Sequence, residues 1–382
     1  MNHERLIKRS KVIEGRLAGN IFSTVAIDKD ENIIGCGCKK LFNLAQKGYV
    51  TLSSNTIDIL AVSNNGSVEC RSLTPFDYEL MPYLAYNGSV SEYNAQKIEY
   101  GHMVIATLYR SGKVKIRGCY EAGEGDASWW TDIDDILLFK DGVLGVTKSG
   151  NIKMCGTGAK PYAEMSAWKD IALVKQIHNN MVGFSYSGFV GLKKDGTLLY
   201  CGDDKAFAEH IITYRNVVSF DGFAVNGQLR EFYAILSDGS LQWYHVGNDD
   251  ILGNFDQNSY KKDYLAVKYL PSGAHFIKLD GTIETHSLHI TYPEALKDAL
   301  ITLTGKKYDV VYDAIRTARD NPLSEQVSDW KLFDDPDEVL RRYEGFEDCS
   351  FGNNRKCLYC GGDLKGFFGK KCTVCGKKYS GY

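Results

Sequence analysis

Residues Gly188 to Gly202 read GFVGLKKDGTLLYCG, and apolar residues alternate with polar ones on either side of Asp195-Gly196. Alternation of period two marks half-buried strands, and Asp-Gly between two such runs marks a tight turn, because glycine accepts the positive φ that these turns need. The stretch is a β-hairpin, and it recurs. Copies are VAIDKDENIIGCG around Glu31, LAVSNNGSVECRS around Gly66, TLYRSGKVKIRG around Gly112, LGVTKSGNIKMCG around Gly150, YAILSDGSLQWYH around Gly239 and HFIKLDGTIETHS around Gly281. With the Gly196 hairpin these make seven, and successive turn positions lie 35, 46, 38, 46, 43 and 42 residues apart. Self-similarity at such a period is the mark of a repeat array.

Two further regularities accompany the turns. A small residue stands five positions before the turn in six copies (Ala26, Ala61, Thr107, Gly145, Gly191, Ala234), and the seventh has Phe276. Crowding against an inner surface lined by the strand is the expected cause. Between hairpins, an aromatic is followed two and three residues later by Asp or Asn and a β-branched residue: Trp130-Thr-Asp-Ile133, Trp168-Lys-Asp-Ile171 and Tyr214-Arg-Asn-Val217. A forty-residue unit with a hairpin and one or two more strands has the size of one four-stranded propeller blade, and seven units suffice to close a ring. Closure leaves only short, protected strand edges. The strand-like segment Lys11 to Leu17 is expected to pair into the blade containing Gly281 and tie the array shut.

The whole pattern, aromatic-x-Asp-Ile, small-apolar strand, Asp-Gly-[Thr/Ser]-[Val/Leu/Ile], then a Cys-Gly such as Cys36-Gly37, Cys155-Gly156 or Cys201-Gly202, resembles the repeat of the RCC1 (regulator of chromosome condensation) family. The resemblance spans roughly Ile21 to Ser287. It implies a seven-bladed β-propeller that binds proteins. Proteins similar in fold include a nucleotide-exchange factor, chromatin binders and a secreted β-lactamase inhibitor, so it implies no single activity.

The chain has 382 residues, 45 basic and 48 acidic, for a net charge of −3, which exerts no global pull toward nucleic acid or acidic lipid. The N-terminus lacks an apolar segment of signal-peptide length, and no eighteen apolar residues run together, so a cytoplasmic protein without membrane association is expected. Eleven cysteines form an odd count, four of them in a metal-ligand spacing suited to a reducing compartment. In that setting Asn65-Gly-Ser and Asn87-Gly-Ser are turns.

From Thr291 the apolar period lengthens to helical values. Leu296, Leu300 and Leu303 share one face, Tyr308, Val311, Tyr312 and Ile315 the next, and Leu323, Val327 and Trp330 a third. A fourth helix starts at Asp335-Pro336, with Glu338 completing a capping box ahead of Val339, Leu340 and Tyr343. These apolar stripes read as core.

The strongest chemical signal is C-terminal: Cys357-Leu-Tyr-Cys360-Gly361 and, after eleven intervening residues, Cys372-Thr-Val-Cys375-Gly376. Two CxxC pairs let four thiolates meet one ion tetrahedrally, which resembles a zinc ribbon. Four thiolates close the coordination shell, so one structural Zn2+ is expected, and for so short a segment its binding is the folding energy, on the order of 10 kcal/mol. From Phe351 onward the only acid is Asp363, against Arg355, Lys356, Lys365, Lys370, Lys371, Lys377 and Lys378, interleaved with aromatics. Lys365, Lys370, Lys371, Lys377 and Lys378 are therefore candidate phosphate contacts. The alternative is that they relieve the charge of the metal-thiolate centre.

Other residues carry less. Cys36, Cys155 and Cys201, and likewise Cys38, Cys70, Cys119 and Cys349, read as small hydrophobes, and His286 and His289 as ordinary polar residues. The acids Glu121, Glu124, Asp126, Asp132, Asp134 and Asp135 read as a solvated loop or a docking patch. No hydrolase, zincin, P-loop or dinucleotide motif is present, so no catalytic residues are assigned. The expected organisation is a propeller over residues 1–290, short helices over 291–348 and a zinc ribbon over 351–382. The expected function is a non-catalytic protein-binding module. A nucleic-acid-associated factor acting through the ribbon is the alternative, and guanine-nucleotide exchange the third possibility.

Overall fold

The computed structural model describes residues 2–20, 23–37, 39–44, 48–54, 58–64, 66–72, 89–90, 94–100, 104–118, 127–139, 142–178, 186–225, 228–246, 263–286, 327, 329–348, 364–366, 370–373 and 378–379. Seven antiparallel meanders follow one another along the chain. Blade 1 is β1 (Leu17–Asn20), β2 (Ser23–Ile27) and β3 (Ile33–Gly37); blade 2 is β4 (Tyr49–Ser54), β5 (Asp58–Ser63) and β6 (Val68–Ser72), with a short fourth strand β7 (Ser89–Val90). Blade 3 is β8 (Ala95–Tyr100), β9 (Val104–Tyr109) and β10 (Val114–Gly118); blade 4 is β11 (Ile133–Phe139), β12 (Gly142–Thr147) and β13 (Ile152–Cys155). Blade 5 is β14 (Ile171–His178), β15 (Tyr186–Lys193) and β16 (Leu198–Gly202); blade 6 is β17 (Val217–Val225), β18 (Gln228–Leu236) and β19 (Leu241–His245). Blade 7 is β20 (Tyr264–Leu270), β21 (Gly273–Lys278) and β22 (Ile283–His286). Each first strand lies beside the first strand of the next blade, from β1 round to β20 and from β20 back to β1. That closed succession is the arrangement of a seven-bladed β-propeller.

All seven turn positions have positive φ: Glu31 64°, Gly66 78°, Gly112 75°, Gly150 82°, Gly196 83°, Gly239 83° and Gly281 85°. In each hairpin the turn residue donates its N–H to the carbonyl three positions earlier, as Gly196 does to Lys193 at 2.9 Å. This is a three-residue loop, a type I turn closed by a left-handed residue. The recurring Asp-Gly-[Thr/Ser] follows from it: the Asp195 carboxylate accepts from Thr197 N (3.0 Å) and Oγ1 (2.6 Å), and Asp238 with Ser240 and Asp280 with Thr282 repeat the pair.

The junctions between blades repeat as faithfully. Ile133 N–H donates to Gly112 O of the preceding turn, and Asp132 O accepts from Lys148 N of its own blade's turn. Ile171 with Asp170, Val217 with Asn216, Tyr264 with Asp263 and Ala95 with Asn94 make the same two bonds. Asn94, Asp132, Asp170 and Asn216 have φ between 57° and 63°, the left-handed region that Asn and Asp tolerate best among residues with a Cβ. The crowding at the small position has a different origin from the one expected. A Cβ at Gly145 would come within 2.8 Å of the Trp130 ring, and one at Gly191 within 2.5 Å of Trp168. The small residue and the aromatic of the interblade signal are thus two halves of one contact. In blade 7 Phe276 fills the space itself, wholly buried against Tyr233 and Tyr264.

Most described blades carry three strands, and after blades 1, 4 and 5 helical segments follow the third: α2 (Lys39–Phe42), a 3-10 segment (Thr157–Ala167) and α3 (Lys205–Ile211). Tyr162 and Met165 of the 3-10 segment pack on Phe139, Phe189 and Cys201, and Phe207 of α3 packs on Tyr200 and Phe232. Cys36, Cys70 and Cys201 are buried and Cys155 is half-buried. Burial pushes Cys36 up to about 11 and Cys201 up to about 12, which keeps both protonated.

Lys11 to Leu17 does not form a strand of blade 7. Lys11–Glu14 is the last turn of α1 (His3–Glu14), capped by the Asn2 side chain on Arg5 N, and Leu17 begins β1 in blade 1. The burial period decides this: Ile7, Ser10, Ile13 and Glu14 face inward at helical spacing. The expected helix at Pro336 is present as α4 (Pro336–Asp348), with Val339 and Leu340 buried. Asp335 accepts from Asp337 N, but Glu338 bonds Arg342 and not the cap. The first two of the earlier expected helices lie outside the described residues, and of the third, Leu323 lies outside them while Val327 is buried and Trp330 partly buried. No helix among the described residues is long and apolar enough to cross a membrane.

Candidate functional site at the propeller axis

Six of the seven first strands carry a bulge at the same point, between Tyr49 and Thr51, Ala95 and Lys97, Ile133 and Asp135, Ile171 and Leu173, Val217 and Ser219, and Tyr264 and Ala266. The common bulge keeps the blades in phase. Charged residues therefore recur at one offset, the fourth residue after the strand start: Glu99, Lys175, Asp221 and Lys268.

The C-terminal end of α1 meets these strands. Lys11 pairs with Asp135 of β11 at 3.1 Å and Asp134 at 3.5 Å, and Lys97 of β8 reaches Asp135 at 2.9 Å and Glu99 at 2.8 Å. Glu14 takes Lys175 of β14 at 2.5 Å and the Ser219 hydroxyl of β17 at 2.5 Å, and Lys175 lies 3.5 Å from Asp221. Ser10 donates to Leu265 O of β20 at 2.8 Å, and Leu52 N of β4 donates to Gly15 O at 2.7 Å. Lys268 of β20 gives its ammonium to the carbonyls of Glu14 and Leu17, where a cation also favours the helix dipole. One helix end thus bonds to blades 2, 4, 5, 6 and 7 and continues directly into blade 1.

Four ammonium groups (Lys11, Lys97, Lys175, Lys268) and four buried or half-buried carboxylates (Glu14, Glu99, Asp135, Asp221) meet here, with the more exposed Asp134 beside Lys11 as a fifth carboxylate. Burial pushes the Asp135 carboxyl up, but Lys11 and Lys97 outweigh it and hold the group down at about 2. Burial, with Lys175 nearby, lowers Lys268 to about 8 against the pull of Glu14. Glu14 is raised by burial, opposed by Lys175 and Ser219. The arrangement is a filled, ion-paired plug. No sequence motif announced it, though Glu99, Lys175, Asp221 and Lys268 recurring at one offset in the first strands were a visible sign.

The residues expected from sequence to carry chemistry fall elsewhere. A three-stranded meander near the C-terminus consists of β23 (Leu364–Lys365), β24 (Lys370–Cys372) and β25 (Lys378–Tyr379). Cys372 ends β24, opposite Leu364; Cys357, Cys360 and Cys375 lie outside the described residues, as does Lys377. Lys365 pairs across the strands with Lys371, and Lys371 with Lys378, so three of the five candidate lysines share one row while Lys370 stands opposite Tyr379. Lys365 and Lys371 are exposed. The acidic cluster divides: Asp132 forms a blade junction, Asp134 and Asp135 bind Lys11, and Glu121, Glu124 and Asp126 lie outside the described residues. Asp132 is exposed, as a solvated loop residue would be, whereas Asp134 and Asp135 pair with Lys11 and fit neither the solvated loop nor the docking patch. His286 bonds Glu284 at 3.3 Å beside Phe276; His289, Cys38, Cys119 and Cys349 lie outside the described residues.

No protein-family model matches the sequence, and no curated protein matches it. Among solved structures the chain is similar to Prp20p of Saccharomyces cerevisiae, described for its binding to Gsp1p and histones, at 13% identity over 64% of this chain and 75% of that one, with a TM-score of 0.43. It is also similar to the CRINKLY WD40 ectodomain of the Arabidopsis thaliana receptor kinase ACR4 (10% identity, 60% and 79% covered, TM-score 0.39). Human WBSCR16 gives 13% identity, 60% and 76% coverage and a TM-score of 0.35.

Proposed function

We propose that this chain is a non-catalytic scaffold that binds a protein partner through the loops of its propeller. The observation that carries this reading is the plug: the C-terminal end of the chain's own α1 lies among the inner strands and occupies their charged groups in ion pairs and hydrogen bonds. What such a ring displays is its rim, where loops of varied length sit on a rigid frame. The sequence resemblance to RCC1 repeats agrees with this reading.

The C-terminal meander belongs to the same proposal as a zinc-stabilised tether. Two CxxC pairs suit a tetrahedral Zn2+, and the connection between them contains the β23–β24 hairpin. Cys357, Cys360, Cys372 and Cys375 would hold the ion. Tagged full-length protein, recovered from native lysate with and without nuclease beside a Cys357→Ser/Cys372→Ser variant, tests the scaffold. A stoichiometric protein that survives nuclease is the expected outcome; recovery of nucleic acid alone, lost in the variant, overturns it.

A second reading has one observation of its own. Like charges directly opposite on neighbouring strands destabilise a sheet, and the Lys365, Lys371 and Lys378 row would be relieved by a phosphate backbone. Titration of a fluorescent single strand at rising salt decides it. Binding that weakens steeply with salt, with a slope reduced by Lys371→Ala, favours this reading; a flat response removes it.

A further inference from the structure

Each blade's third strand has one position, three residues after the turn, that stands opposite the small residue of the repeat: Lys153 is opposite Gly145 across β12 and β13, and Lys115 is opposite Thr107 across β9 and β10. The other blades hold Ile34, Glu69, Leu199, Gln242 and Glu284 there. The two acids are paired, Glu69 with Arg71 and Glu284 with Lys278 at 2.7 Å. The two lysines differ: among the described residues no carboxylate pairs with Lys115 or Lys153. Lys153 instead holds its ammonium over the Trp129 ring, 5.2 Å from the centroid. Trp129 is 64% exposed, more than any other large apolar side chain among the described residues. The fold does not call for it. Trp130 fills the aromatic position of the repeat and is wholly buried, with its ring at Gly145, and the residues before the corresponding Trp168 and Tyr214 are only Ala167 and Thr213. The exposed ring is nonetheless held in place, edge-on to Trp130 at 6.2 Å and 84° and beneath the Lys153 ammonium.

We propose that Trp129, Lys153 and Lys115, on the outer part of blades 3 and 4, are the docking surface for the partner of this scaffold, and that the partner offers an acidic segment with an apolar anchor. This rests on the scaffold reading above and adds the partner's chemistry to it. A large aromatic ring that is already fixed in the free protein covers apolar surface at little further cost in conformational freedom, and such rings anchor interfaces. Charge decides what stands beside the anchor. Two ammonium groups at the same position of successive blades, neither paired with a carboxylate among the described residues, favour carboxylates from outside and disfavour a basic partner. The nearest described acid in sequence, Asp132, lies against the Gly112 turn and pairs with neither lysine. The partner's carboxylates therefore belong on Lys153 and Lys115, and its apolar side chain on Trp129.

Selection of a phage-displayed random peptide library on the immobilised full-length protein tests this, with the selected peptide then synthesised, labelled and titrated by fluorescence polarisation. Enriched peptides should carry Asp or Glu beside a Leu, Ile, Phe or Trp. Their affinity should fall at least about tenfold in Trp129→Ala and about threefold or more in Lys153→Gln. Neither residue belongs to a described core cluster, so the thermal melts of both variants should match that of the unaltered protein. Peptides that lack acids, peptides that bind Trp129→Ala undiminished, or a selection that yields no binder overturn the proposal. Recovery of the partner from lysate decides the scaffold reading separately: a partner retained in full by Trp129→Ala upholds the scaffold and removes this surface. Binding of a fluorescent single strand that is lost in Trp129→Ala, with no acidic peptide selected, overturns the proposal in favour of nucleic acid.

Discussion

A methyl group at Gly191 would sit 2.5 Å from the Trp168 ring, although the backbone there does not require glycine. Gly191→Ala should therefore destabilise through overpacking alone, by about 1–3 kcal/mol. Trp168→Leu added to it should recover part of that loss, so denaturant melts of the two single variants and the double should show coupling. At the axis, Lys268 gives a pH signature. Its folded value of about 8 lies below the ordinary lysine value of 10.5, so between those limits the unfolded chain binds more protons and stability rises with pH. Against Lys268→Met, the unaltered protein should gain on the order of 1–3 kcal/mol between pH 7.5 and pH 10 in urea unfolding. Asp135 behaves in the opposite manner. Its carboxyl is held at about 2 against an ordinary 3.8, so its contribution is complete above about pH 4 and is lost as pH falls toward 2. Asp135→Asn should flatten that acid limb.

Among the elements, α1 shows how a short amphipathic segment becomes structural through what it meets. Ile13 is fully buried in the cluster that also holds Leu17, Leu265, Leu332 and Leu340. Ile13→Ala should cost about 2–4 kcal/mol in denaturant unfolding, and exchange should rise in α1 and α4 together, because Arg5 and Arg9 join the two helices. The sequence marked α4 clearly, through Asp335-Pro336 and the spacing of Val339, Leu340 and Tyr343. It did not mark α1, because four residues, Lys-Val-Ile-Glu, are compatible with a strand as well as with a final helical turn. Only the inward set Ile7, Ser10, Ile13 and Glu14 separates the two readings, and two of those residues are polar.

At the scale of the molecule, the C-terminal meander and the propeller are expected to respond differently to a chelator. Removing the proposed zinc should make the segment after Asp348 sensitive to limited proteolysis and leave the propeller's melting transition in place, because the described core clusters draw on no residue beyond α4. The sequence by itself determined the seven repeats, the residue that turns each hairpin and the Asp-Gly-[Thr/Ser] chemistry, because a positive φ and an Asp side chain bonded two residues ahead are decided within a few residues. It also showed the small residue and the aromatic as separate signals. That they touch, that the end of α1 lies among the inner strands and that Lys331 bonds to Lys29 of blade 1 were decided only by the tertiary structure. These contacts join residues up to about three hundred positions apart, such as Lys29 and Lys331, and no local pattern encodes which distant group a buried charge or a free carbonyl will find.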